Sequence, residues 1–158
     1  MPPTDLPRRM TSNSQGQLYS VWAVVLATFL GSPLAGGVVM SINCRRLTQP
    51  NAARDILLWT AILTVGSLLL GALIPQEMRL VEAMLVGLQV FVMYFLAARL
   101  QGRAIALHLE QGGEIASYWS VVVIGIVCGI ILLWTLVALG LMPAPGTLLE
   151  SNSSPDLL

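Results

Sequence analysis

Four long runs of mostly apolar residues dominate this chain, at 18–42, 56–74, 80–100 and 118–142. A helix needs about 17–25 such residues to cross the hydrocarbon layer of a bilayer. Backbone in lipid must satisfy its own N–H and C=O groups, so runs of this kind fold as helices. The expected fold is therefore all-α: an integral membrane four-helix bundle with short loops over 18–142. Disordered tails are expected at 1–17 and 143–158. The charge content agrees. Only 10% of the residues are charged and 56% are hydrophobic, whereas soluble domains carry about 25% charge. Such a chain lacks the polar surface to coat a water-soluble globule.

The four runs are not equally clear. The second closes at Pro75, and the fourth closes at Pro143 and Pro145. The third carries Glu82 and Gln89, and the first is interrupted by Gly31-Ser32-Pro33. The polar residues before Leu18 hold three prolines and lead into an apolar run too long for a signal peptide. That run reads as a retained membrane helix. Between the spans, 43–55 carries three arginines and the turn-prone Gln49-Pro50-Asn51, and 75–79 suits a tight antiparallel hairpin. The segment RAIALHLEQGG is expected to prolong the third helix until Gly112-Gly113 ends it, with Ser117 as N-cap of the fourth.

Four crossings put both termini on one side. Arg45, Arg46, Arg54, Arg99 and Arg103 then face Arg8, Arg9 and Arg79 across the bilayer. The positive-inside rule makes the long loops cytoplasmic and the termini external. Trp59, Tyr118 and Trp119 mark one interface, and Tyr19 and Trp22 the other.

FLGSPLAGG is the most unusual stretch. Proline inside a helix removes a backbone bond and clashes with the carbonyl four residues back, here that of Phe29. The favoured reading is a kinked packing helix. Ala23, Ala27, Gly31 and Ala35 recur every four residues and make a small-residue face. The alternative is a ligand-lining break of the transporter kind at Pro33. Thr60, Thr64, Ser67 and Gly71 share one face of the second span, and Gly125 and Gly129 form a GxxxG pair in the fourth. Both read as packing surfaces within the bundle.

Glu82 and Gln89 lie seven residues apart on one face of the third span. An interfacial salt bridge between Glu82 and Arg79 is the favoured reading, and a coupling-ion or proton site the alternative. His108, Glu110 and Glu114 match no zinc spacing and read as a solvated segment, so no metal site or cofactor is expected. Cys44 and Cys128 stand in no CxxC pattern and read as free thiols. No G-x-S-x-G, Walker A or H-E-x-x-H pattern occurs, so no enzyme is expected. The absence of a basic stripe with interleaved aromatics speaks against nucleic-acid binding.

FLGSPLAGGVVMSINCRRLTQP and RAIALHLEQGGEIASYW resemble a group of uncharacterised small bacterial membrane proteins. Those proteins share an FLG-PLAGG helix, a following Asn and basic residue, and a Gly-Gly–aromatic approach to the last span. The matching residues here are Phe29 to Gly37, Asn43, Arg45, Gly112, Gly113 and Trp119, about a third of the chain. The resemblance implies a multi-pass protein of a bacterial cytoplasmic membrane and carries no activity. The expected role is non-enzymatic: contact between helices in the lipid bilayer, in a homo-oligomer or with a membrane protein partner. The alternative is a small oligomeric transporter or channel using Pro33, Glu82 and Gln89.

Overall fold

In the computed structural model, residues 17–75 and 77–140 are described, and they form five helices and no strand. The helices are α1 (Val21–Gly31), α2 (Pro33–Arg46), α3 (Pro50–Leu73), α4 (Arg79–Glu110) and α5 (Tyr118–Ala138). Three of them, α3, α4 and α5, are long and apolar enough to cross a membrane. The tails expected at 1–17 and 143–158 fall outside the described residues, Gln17 excepted.

The first apolar run is not the single kinked helix expected over 18–42. It is divided into α1 and α2, which fold back on each other as an antiparallel hairpin. Contacts mark the pairing outward from the turn. Gly31 faces Ala35, Thr28 and Val24 face Gly36, and Tyr19 bonds Asn43. At the far end, the Arg46 guanidinium reaches the Gln17 carbonyl. The hairpin therefore begins and ends at one end of the molecule, and its tip is Ser32-Pro33.

Local chemistry explains the break. Ser32 donates its N–H to the Thr28 carbonyl at 2.9 Å, which closes α1. The chain then turns sharply at Ser32, with φ 107 and ψ 168. Pro33 opens α2, where its missing N–H has no helical partner to lose and its fixed φ suits the first turn. The clash expected with Phe29 is removed by ending one helix and starting another. At 1.5 Å per residue, α1 is about 16 Å long and α2 about 21 Å. Neither reaches across a hydrocarbon layer of about 30 Å.

Close approach requires glycine at two points, one between the two arms and one between α2 and α3. A Cβ on Gly36 would overlap Thr28 Oγ1, and one on Gly37 would overlap the Thr60 side chain of α3. The hairpin forms the centre of the molecule. Ala23, Val24, Ala27, Ala35, Val39 and Met40 are all buried. Each long helix packs on it, while the long helices make at most slight contact with one another.

These contacts orient the whole chain. α3 leaves the open end of the hairpin and passes Gly37 at Thr60. α4 returns, with Met93 beside Gly36 and Gln101 beside Asn43. It continues past residue 100 through RAIALHLE, as expected of the segment before Gly112-Gly113, and Gly112 at φ 80 follows its end. α5 starts level with Tyr19, where Ser117 caps it, and passes the hairpin tip at Gly125. The described chain consequently enters at one end, at Gln17, and finishes α5 at the other. It makes three long passes, so its two ends are not on the same side as four crossings required.

Candidate functional site at the hairpin

The open end of the hairpin is held by two buried amides. Asn43 lies in the last turns of α2 and is fully buried. Its Oδ1 accepts from the Tyr19 N–H at 2.8 Å, and its Nδ2 donates to the Tyr19 carbonyl at 2.9 Å. The side chain thus pairs with the backbone just ahead of α1 as a neighbouring strand would. The second Nδ2 hydrogen goes to Gln101 Oε1 at 3.0 Å. Gln101 Nε2 donates in turn to the Met40 carbonyl at 2.7 Å and to Cys44 Sγ at 3.2 Å.

Both amides have used all their donors inside the protein. Buried polar groups in this state rigidify a core, and they leave nothing free to act on a substrate. Around them the N-terminal chain is pinned further. The Leu18 N–H donates to the Glu114 carbonyl, and the Ala116 N–H donates to the Leu18 carbonyl. Tyr19 and Ser20 meet Ser120 and Tyr118 of α5 through their hydroxyls. The arrangement is a clasp that joins α1, α2, α4 and α5.

The tip is different. Pro33 is buried there, and Ser32 Oγ is buried with no hydrogen-bond partner among the described residues. Gly31 packs against the Gly125 carbonyl of α5, and Gly129 faces the Leu30 carbonyl and Gly31. Of the residues expected to pack, Ala27, Gly31, Ala35, Thr64 and Gly125 are buried, and Ser67, Gly71 and Gly129 are half-buried. Ala27 and Gly31 belong to α1 but Ala35 to α2, so the stripe read every four residues is split across the turn. The hydroxyls of Thr60, Thr64 and Ser67 donate to carbonyls of their own helix.

Gln89 lies one turn before Met93 on the face of α4 that packs on the hairpin, and it is half-buried near the level of the tip. Glu82 lies on the same face but about 16 Å of helix before Met93, and it is exposed. Pro33 and Gln89 are therefore brought to one depth, and Glu82 is left well beyond it. The Arg79 side chain, its expected salt-bridge partner, is outside the described part of the structure. His108 is buried with Gly113 against its ring, while Glu110 and Glu114 are exposed. Among the described residues no group of three His, Cys, Asp or Glu could hold a metal ion.

Gln101 and Tyr19 carried no local signal of their role. Gln101 stood at the start of an expected connection. A buried stripe at spacing four (Met93, Ala97, Gln101, Ile105) would have placed it on the packed face. The chain matches no family model, and no curated protein and no solved structure matches it.

Proposed function

We propose that this chain is a non-enzymatic membrane protein of the bacterial cytoplasmic membrane that acts through helix contacts, in a homo-oligomer or as an accessory subunit. In this reading α3, α4 and α5 cross the bilayer, and the α1–α2 hairpin enters and leaves from one side. The observation that carries it lies beyond the tip. There α3 continues a small, polar face through Ser67 and Gly71, and α4 carries the exposed Glu82, with no hairpin left to cover them. Small and polar side chains favour protein over lipid as a neighbour in membranes.

The same passes support a sidedness. Arg45, Arg46, Arg54, Arg99 and Arg103 belong to the open end of the hairpin, and Arg79 alone among the described arginines to the other. By the positive-inside rule the open end is cytoplasmic. Arg8 and Arg9 lie outside the described residues. Cross-linking in native membranes, followed by sizing in mild detergent, tests the contact role. A species larger than the monomer is expected in both, and a monomer in both would refute it.

A second reading, a small oligomeric transporter or channel, is favoured by the Ser32 Oγ at the tip, buried with no hydrogen-bond partner among the described residues and near the level of Gln89. It shifts the centre of the site from Glu82 to the tip. If proteoliposomes carrying the parent protein show no flux above empty liposomes for any tested ion or small solute, that reading fails. If flux appears, Ser32→Ala and Gln89→Leu are expected to reduce it more than Glu82→Gln.

A further inference from the structure

Arg99 and Arg103 are four residues apart on α4, so they share one face of the helix. It is not the face that packs on the hairpin. The buried stripe passes through Ala97 and Gln101, and each arginine stands two residues further on, about 200° round the helix. Both arginines are exposed. No ion pair joins either of them to another described residue. Their neighbours one turn away are Phe95, Leu96, Leu100, Ala106 and Leu107, all exposed and all apolar. Two like charges at this spacing repel, and the nearest carboxylate on this face, Glu110, stands two turns beyond Arg103, about 10 Å along the helix.

The depth of the pair is given by the clasp. Arg99 is two residues from Gln101, which is level with Tyr19 and the start of α5. Tyr118 and Trp119 are exposed at that level, and such aromatics mark a membrane interface. Side chains on a helix lean toward its N-terminus, which for α4 is the direction of the bilayer interior. The Arg99 guanidinium follows this lean and sits 5.0 Å from the centroid of the Phe95 ring.

A pair of unmatched guanidinium groups at the interface, flanked on the bilayer side by Phe95, Leu96 and Leu100, is complementary to a phosphate carrying acyl chains. We infer that this face of α4 binds an anionic phospholipid of the arginine-side leaflet. The phosphodiester bridges Arg99 and Arg103, and the chains lie along Phe95, Leu96 and Leu100. Arginine suits this task because its planar fork meets phosphate oxygens in pairs. An acidic peptide is a poorer fit, since the exposed residues one turn from the pair are apolar and the next polar side chain on the face is the carboxylate of Glu110. The inference rests on the membrane reading above.

The full chain in mild detergent, titrated with phosphatidylglycerol, phosphatidylcholine or soluble glycerol phosphate, provides the test. Lipid retention is followed by native mass spectrometry and protection by thermal unfolding. Phosphatidylglycerol is expected to be retained roughly thirtyfold better than phosphatidylcholine, in line with two interfacial arginines, and to raise the unfolding temperature. Arg99→Gln with Arg103→Gln removes that preference, whereas Arg54→Gln keeps it. Three outcomes overturn the site: a double variant that retains phosphatidylglycerol like the parent, equal retention of both lipids, or equal protection by glycerol phosphate. Failure of the membrane reading shows separately, as release of the chain from native membranes by alkaline carbonate.

Discussion

Asn43 concentrates more of the architecture than any other side chain. It meets a backbone N–H, a backbone carbonyl and a second amide, all buried. Asn43→Ala strands those three groups together, and each stranded group costs about 1–3 kcal/mol. We expect a loss of about 3 kcal/mol or more, read as a lower unfolding temperature in detergent. Asn43→Asp is expected to do no better, because a carboxylate cannot donate to Tyr19 and Gln101. An unfolding temperature for Asn43→Ala within a degree of the parent would show that the clasp is not the anchor of the hairpin. Little of this clasp was legible in the chain. Asn43 and Gln101 are 58 positions apart, and local composition says nothing about partners at that distance. Glu82, by contrast, drew notice because a charge in an apolar run is visible locally, yet it lies far from the tip and exposed.

Among the elements, α3 and α5 were the easiest to foresee, since uninterrupted apolar length and a closing proline or N-cap serine define them. The hairpin was not foreseen, for a physical reason. A run of 25 apolar residues supplies either one crossing or two half-depth arms with a turn, and hydropathy measures transfer to lipid without regard to direction. Gly31-Ser32-Pro33 pointed to a disturbance in the helix, and the contacts of Gly36 with Thr28 and of Asn43 with Tyr19 decide that it is a reversal. The turn has an energetic signature of its own. Ser32 at φ 107 and ψ 168 occupies a region that glycine populates and other residues enter at about 1–3 kcal/mol. Ser32→Gly is therefore expected to raise the unfolding temperature, whereas Ser32→Val lowers it. If both variants melt below the parent by the same amount, the turn does not have this backbone geometry.

For the whole molecule the decisive quantity is the number of crossings. Reporters at Gln49 and Gln111 fall on one side whether the first run is a span or a hairpin, so they do not distinguish the two. A reporter fused ahead of Gln17 does. Three crossings put it on the same side as Gln49, and four put it opposite. We expect the same side, with a reporter at Glu77 facing the other way. An N-terminal reporter opposite Gln49 would restore the single spanning helix over 18–42.

The half-depth hairpin also bears on how such a chain is made. Synthesis proceeds from the N-terminus, so α1 and α2 are complete before Gln101 and α5 exist. Each arm is too short to cross a hydrocarbon layer, and of the long helices that pack on it α3 follows at once whereas α4 and α5 come later. The central element is thus made before two of the three long helices that pack on it. The clasp closes only when α4 and α5 are both made, since Asn43 needs Gln101 and the Tyr19 hydroxyl needs Ser120, so a ribosome stalled before Gln101 would leave the hairpin without it.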